Sequence, residues 1–297
     1  MTQVLFLLTP GLHLLDLAGP AQVFGTAGDF GHRYELRYVA GRTDVRTHQD
    51  VTLTAETEPP GISPDDLVIV PGWRAPLASG EFPDHLLDLL RAHHASGGTV
   101  VSAGADALGR AGLLDGRRCT THHHLQAELA RRYPSAILVP DVLFVADDRV
   151  LSSAGIASGI DLSLHLMAVR HGPAAAARIA RAMVVYARRN GEEPQASAML
   201  RHRAHLSDVV HRVQDEIDAR FAETLPLAEL ASRAGVSGRT LTRLFDTAVG
   251  CSPLRYQQAL RLERAEHLIG HGSTVEAAAR AVGFGDARML RRLRNRP

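Results

Sequence analysis

The sequence predicts an α/β parallel-sheet sandwich followed by an all-α domain with two helix-turn-helix units. Through the first two thirds of the chain, short apolar runs alternate with segments of helical periodicity, as buried strands and covering helices do. From about residue 207 onward apolar residues recur only at helical spacing, with glycine at two internal turns. The 297 residues exceed what one small helical domain needs and predict two domains.

In the first domain Val4-Leu5-Phe6-Leu7-Leu8 is a short apolar run that meets Pro10-Gly11, as a buried strand does. A helix is expected over 14–25, strands over 34–40 and 66–72, a helix over 83–96, and a strand over 99–102. That last strand turns at Ala103-Gly104 into a helix over 105–111. Helices over 160–169 and 174–188 carry apolar faces, Leu162, Leu166 and Val169 in one and Ile179, Met183 and Val184 in the other, suited to core or dimer surface. Ligands of parallel sheets gather at the carboxyl ends of the strands, here Thr9-Pro10, Pro71-Gly72-Trp73 and Ser102-Ala103-Gly104. The segment Asn190-Gly191-Glu192-Glu193-Pro194-Gln195-Ala196-Ser197 loses apolar periodicity and holds both helix breakers. The expected division is therefore 1–189, a linker over 190–206, and 207–297.

In the second domain Leu227, Leu230, Ala231 and Ala234 repeat at helical spacing until Gly235 breaks the helix. Ser237 caps the next one, whose stripe of Leu241, Leu244, Phe245, Ala248 and Val249 leaves Arg239, Thr240, Thr242 and Arg243 on other faces. This is how a recognition helix presents residues to a major groove. Gly250 closes the helix, and Ser252-Pro253 opens a long one to about Ile269. Ser273 and Glu276 read as a capping box before Val275, Ala278, Ala279 and Val282. Gly283-Phe284-Gly285 supplies a second turn. Asp286 caps a last helix that turns Met289, Leu290 and Leu293 inward and leaves Arg288, Arg291, Arg292 and Arg294 for phosphate or bases.

Charge follows the same division. Residues 1–206 hold 19 arginines against 21 acids, and 207–297 hold 14 against 11. All 33 basic residues are arginine, so arginine abundance alone is no nucleic-acid signal. The two cysteines, Cys119 and Cys251, fall in different expected domains and read as reduced thiols. Nothing resembles a signal peptide or a membrane span, which places the expected location in the cytoplasm.

Residues from about Ser207 to the end resemble the DNA-binding domain of the AraC family. The resemblance rests on Leu227-x-x-Leu230-Ala231, Gly235-Val236-Ser237-x-Arg239-Thr240-Leu241-x-Arg243-x-Phe245, Gly250-x-Ser252-Pro253, Arg261-Leu262-x-x-Ala265 and Val282-Gly283-Phe284. The family follows its second recognition helix with a further glycine, a serine-proline pair and a closing helix, whereas this sequence stops at Arg294-Asn295-Arg296-Pro297. Less cover is thus expected over Leu290 and Leu293, with base reading on 237–249 and phosphate attraction from the terminal arginines. The expected DNA contacts are Ser237, Arg239, Thr240, Thr242, Arg243, Arg288, Arg291 and Arg292.

The region from Thr2 to about Arg189 resembles the PfpI-like domain of the class I glutamine amidotransferase-like fold, a flavodoxin-like sandwich. Its motifs are Leu15-Asp16-Leu17-Ala18-Gly19-Pro20, Val70-Pro71-Gly72, Gly112-Leu113-Leu114-Asp115-Gly116 with Thr120-Thr121-His122, and Ser152-Ser153-Ala154-Gly155-Ile156-Ala157-Ser158-Gly159. Enzymes of the fold place a nucleophilic cysteine at the strand-to-helix elbow, and counting back from Gly112 puts Ser102 there. Ala103 stands where some relatives have histidine, and Trp73 replaces a second glycine. The resemblance therefore implies a catalytic scaffold kept as a sensor pocket, lined by Asp16, Gly72, Trp73, Ser102, Ala103, His122 and Ser158.

The run His122-His123-His124 suggests a metal, but adjacent side chains diverge on a regular helix or strand, so neither metal nor cofactor is expected. The combined expectation is a transcription regulator that binds double-stranded promoter DNA, senses a small-molecule effector, forms a homodimer and meets the transcription machinery. The alternatives are a hydrolase or isonitrile hydratase-like enzyme using Ser102, and a regulator that works without ligand.

Overall fold

The computed structural model describes residues 1–73, 82–185, 189–195, 202–203, 205–270 and 272–294. They form two compact units, Met1–Gln195 and Ala196–Pro297.

In the first unit the chain runs β1 (Thr2–Leu8), α1 (Leu14–Gly28), β2 (Tyr34–Ala40), β3 (Asp44–Arg46), β4 (Thr52–Thr54), β5 (Leu67–Val70), α2 (Asp84–Ala95), β6 (Thr99–Ala103) and α3 (Asp106–Arg110). It continues with β7 (Arg118–Cys119), a 3-10 turn (His123–Leu125), α4 (Gln126–Arg132), β8 (Ile137–Leu138), β9 (Phe144–Asp147), β10 (Val150–Ser153), α5 (Ser158–His171) and α6 (Pro173–Ala182). Six strands form the main sheet in the order β2-β1-β5-β6-β10-β9. All its pairings are parallel except β9 with β10.

Successive strand residues point to opposite faces, and the sequence fills both faces with apolar side chains. Val4, Phe6, Leu67, Ile69, Val101 and Leu151 join the cluster that includes Val23, Phe24, Leu162 and Ile179, under α1, α5 and α6. Leu5, Leu7, Val68, Val70, Val100 and Val150 join Leu86, Leu90 and Leu108, under α2 and α3.

Three expectations need correction here. The helix expected over 174–188 ends at Ala182, and Val184 has φ +56° and is 87% exposed. A β-branched residue in that left-handed conformation terminates the helix, so Val184 belongs to no apolar face, while Met183 packs on the core. The remainder of that expected helix, 186–188, lies outside the described residues. The β9–β10 hairpin was not expected, because Ser152 and Ser153 interrupt the apolar run of its second strand.

The first unit also extends beyond 189. Arg189 donates to Asp161 from its backbone N and, at 2.6 Å, from Nη2. Leu143 N donates to the Gly191 carbonyl, and Gln195 Nε2 donates to the carbonyls of Thr121 and Val142. Residues 190–195 of the expected linker are thus hydrogen-bonded into the first unit, and the part at 196–201 lies outside the described residues.

The second unit contains α7 (Asp208–Ala219), α8 (Leu227–Arg233), α9 (Gly238–Val249), α10 (Pro253–Gly270), α11 (Val275–Ala281) and α12 (Ala287–Arg294). The start of this unit too reaches into the expected linker: Arg203 pairs with Asp215 at 2.7 Å, and His205 with Gln214. One cluster joins Val213, Ile217, Leu230, Leu241, Phe245 and Tyr256, and a second joins Ala265, Ala278, Val282, Phe284 and Leu290. The long helix α10 serves both. Arg261 on it donates to the carbonyls of Phe221, Glu223 and Gly283, which ties the entry to α8 and the turn before α12 to one side chain. Leu290 is fully buried and Leu293 is half-buried, so α10 and α11 cover these residues, contrary to the expectation of less cover.

Candidate functional site

A cavity of about 360 Å³ opens at the carboxyl ends of the parallel strands of the first unit. The location follows from topology, because loops leaving β5, β6 and β10 diverge there. Asp16, in the first turn of α1, brings its carboxyl to the cavity. It accepts a hydrogen bond from the backbone N of Ile156 and is 2% exposed. Burial pushes its carboxyl up to about 7, against the opposing pull of that hydrogen bond.

The surrounding backbone is shaped to admit this carboxyl. A Cβ on Gly72 would stand 2.9 Å from Asp16 Oδ2 and 2.7 Å from the Ala103 carbonyl, so only glycine fits. His13 N donates to the Gly72 carbonyl at 2.8 Å, which joins the loop before α1 to the loop after β5. Ile156 holds φ +50°, a strained conformation for a β-branched residue and one that residues around binding sites often adopt. Its side chain, with Trp73, Ala103, Ala154 and Leu125, makes the walls apolar. The other lining carboxylate, Asp106, is occupied by Arg110 at 2.8 Å and the Tyr133 hydroxyl at 2.7 Å. His122 and His124 complete the rim. The His122 imidazole is held below its ordinary range by burial first, and then by the charges of His123, His124 and His13.

Of the residues expected at this pocket, Asp16, Gly72, Trp73, Ala103 and His122 come together. Ser102 and Ser158 do not line it. By the two-residue period Ser102 shares the strand face of Val100, away from that of Val101. It is fully buried, and among the described residues its Oγ has no hydrogen-bond partner. His122 makes no hydrogen bond to it. Ser158 Oγ donates to the Gly155 carbonyl at 2.9 Å and so holds the turn behind the wall. Sequence reasoning missed His13, Asp106, His124 and Ile156. For Ile156 the signal was present in the Gly155-to-Gly159 motif, whereas nothing in the sequence places Asp106, the first residue of α3, at the same cavity as Asp16.

The divergence expected for His122, His123 and His124 does not occur. His122 caps the 3-10 turn, and the tighter winding there brings the three rings together.

In the second unit the two helix-turn-helix arrangements form a separate candidate surface. Gly235, at φ +71°, makes the first turn, and Ser237 Oγ accepts from Thr240 N at 3.1 Å to start α9. Leu241, Phe245 and Val249 are buried, so the period of the helix leaves Arg239, Thr242 and Arg243 exposed. Thr240 and Thr242 are committed locally: Thr240 Oγ1 bonds Ser237 Oγ, and Thr242 Oγ1 donates to the Gly238 carbonyl. Arg239, Arg243 and Arg288 have no ion-pair partner among the described residues.

In the second arrangement the cap of α11 is Thr274, whose hydroxyl accepts from Ala277 N, and not the expected Ser273. Asp286 caps α12 through Arg288 N and Met289 N as expected. Arg291 pairs with Glu276 at 2.9 Å, Arg294 pairs with Glu266, and Arg292 lies on Met289 Sδ.

Comparison with known proteins places matches on both units. Residues 2–169 match the DJ-1/PfpI family, and residues 230–296 match a helix-turn-helix domain. The HTH-type transcriptional regulator GbdR of Pseudomonas aeruginosa is 33% identical over 187 residues, covering 62% of this chain and 50% of that protein. The HTH-type transcriptional regulator CdhR of the same species is 28% identical over 270 residues, covering 89% of this chain and 79% of that protein. An isonitrile hydratase of Pseudomonas putida is 33% identical over 171 residues, covering 55% of this chain and 70% of the enzyme. The chain thus spans about half the length of GbdR.

Proposed function

Given that the chain belongs to the DJ-1/PfpI family and carries a helix-turn-helix domain behind its family domain, we propose that it is a transcription regulator of the AraC type whose first unit senses a small molecule. The observation that carries this reading is the outer face of α9. There a capped, glycine-turned helix buries its apolar stripe and holds out Arg239 and Arg243 with no carboxylate among the described residues to occupy them. An exposed guanidinium at that place can take guanine bidentately or a phosphate. The similarity to CdhR over most of both chains supports the same order of domains in a regulator.

The effector binds in the cavity beside Asp16. That carboxyl takes a hydrogen-bond donor of the ligand while the apolar walls take its carbon skeleton. No catalytic role is assigned to Ser102, since a hydrolase or hydratase that used it would need both access and a base. The likeness to an isonitrile hydratase is compatible with a shared pocket architecture on which different functions are built. Among the described residues no helix is long and apolar enough to cross a membrane. We place the protein in the cytoplasm with its DNA, as a homodimer that meets the transcription machinery once bound.

Promoter fragments recovered from cells by crosslinking to the full chain identify the operator, and the purified protein then binds it in a salt series. Arg239→Ala and Arg243→Ala should each weaken binding about tenfold at physiological salt. A residue that contacts phosphate should also lower the salt slope by about one. Operator affinity and salt slope unchanged in both variants would remove α9 as the reading helix.

A further inference from the structure

The imidazoles of His122, His123 and His124 form a compact group at the mouth of the cavity. Ring centroids of His122 and His123 are 4.2 Å apart, those of His123 and His124 4.2 Å, and those of His122 and His124 5.2 Å. One ligand atom of each lies within 4.8 Å of the other two. The ring nitrogens of His123 and His124 make no hydrogen bond among the described residues. The one bond to a ring nitrogen in the group runs from His124 N to His122 Nδ1 and is long, at 3.3 Å. Three imidazoles gathered this closely, with the ring nitrogens of His123 and His124 turned to no protein partner among the described residues, suit a cation that accepts nitrogen donors.

We propose that His122, His123 and His124 together bind a divalent transition-metal ion of the zinc class, through one ring nitrogen each, at the cavity mouth. Bonds of about 2.0–2.1 Å to a tetrahedral ion put its nitrogen ligands roughly 3.4 Å apart. The widest pair must therefore close by up to about 1.4 Å. His123 and His124 are exposed, so rotation of their side chains achieves this without disturbing a packed contact. Among the described residues no carboxylate joins the three histidines in this cluster, and the fourth position is filled by water or by a donor atom of a molecule in the cavity. His122 and His124 both line that cavity, so the open position is reachable from inside it. The site stands on the histidines alone and does not depend on the regulator reading, because its readout is metal bound rather than DNA bound.

The test uses the full chain without a histidine tag. Zn²⁺ alone is titrated calorimetrically, and Co²⁺ replaces it for visible absorption. The expected result is one equivalent of Zn²⁺ bound at micromolar concentration or below, with an intense Co²⁺ band of a four-coordinate site. His123→Ala and His124→Ala should each weaken Zn²⁺ binding at least tenfold, and the double variant should lose both the equivalent and the band. Because both side chains are exposed, the metal-free variants should keep the wild-type circular dichroism and unfolding temperature, and either single variant suffices to decide. Binding absent below millimolar Zn²⁺, or retained in the variants, would overturn the site.

Discussion

Asp16 keeps a carboxyl where solvation is poor and one backbone N–H is its only hydrogen-bond partner among the described residues. Its carboxyl stands at about 7 in the folded chain against 3.8 ordinarily, and the sign of the consequence follows from proton counting. Below about pH 4 both folded and unfolded forms are protonated there, and the residue costs nothing. Between about 4 and 7 the folded form keeps a proton that the unfolded form has released, so stability falls as pH rises. Above 7 the full cost applies, on the order of 4 kcal/mol. Asn at this position accepts the same N–H without a charge. Asp16→Asn should therefore stabilise the first unit at pH 8 and make little difference at pH 4.5, in urea unfolding followed through Trp73, the single tryptophan. Equal midpoint differences at the two pH values would show that the carboxyl is not desolvated. Ser102 is the contrasting case. Its Oγ is buried without a partner among the described residues, so Ser102→Ala should leave stability unchanged or raise it by about 1 kcal/mol, with operator binding retained. A loss of effector response in that variant would return Ser102 to the functional site. The two residues also mark how far the pocket was legible. A motif locates Asp16 at the entry to α1, where the helix delivers it. Counting from Gly112 locates Ser102 along the chain but not the face its strand turns to the core.

At the scale of elements, the second helix-turn-helix depends on the approach of two backbone segments. Gly283 has φ +82°, and a Cβ there would lie 1.9 Å from the Ala222 carbonyl oxygen. Its own carbonyl accepts from Arg261 Nη1 at 2.8 Å, so the turn is held by the helix that serves both arrangements. Gly283→Ala should destabilise the second unit by about 3 kcal/mol or more, since strain and clash act together. Thermal unfolding by circular dichroism should show an early helical transition, while the Trp73 fluorescence transition of the first unit stays in place. One unshifted transition in both signals would mean that the turn relaxes freely. Caps and turns of this unit were readable in advance because they use local chemistry: Ser237, Gly250 and Asp286 act within four residues of themselves. The cap of α11 moved from Ser273 to Thr274, a choice between adjacent hydroxyls that local pattern does not decide. The cover over Leu290 was not legible either: the helical period turns this residue inward, but the residues of α10 and α11 that pack on it are brought there by tertiary contacts.

For the whole molecule, the proposed function asks how the state of the cavity is passed to the candidate DNA-binding surface of the second unit. The segment that the sequence marks as a linker begins by returning to the pocket wall. Gln195 Nε2 donates to the carbonyls of Thr121, at 2.8 Å, and Val142, while its Oε1 accepts from His123 N at 2.8 Å. Thr121 in turn donates from Oγ1 to the carbonyl of Gly104, a residue of the cavity wall. One amide side chain thus joins the turn that carries His122 and His124 to the last residue of the first unit. An effector that moves this turn changes the three bonds at once, and the point from which the second unit is tethered changes with them. Such coupling requires that the ligand favour one arrangement over the other, and we propose Gln195 as the residue that relays the difference. Each bond contributes about 0.5–1.5 kcal/mol net, so Gln195→Ala should lower amide exchange protection at His123 by tenfold or more, with the sheet core and α9 protected as before. In cells the variant should still occupy the operator, through an intact second unit, but occupancy should no longer follow the growth conditions that alter it in the wild type. Gln195→Glu separates the two halves of the clamp. Its carboxylate can still accept from His123 N but repels the carbonyls of Thr121 and Val142, so it should keep part of the His123 protection and lose the response. Wild-type exchange at His123 in both variants, together with an intact response, would rule out this route from pocket to linker.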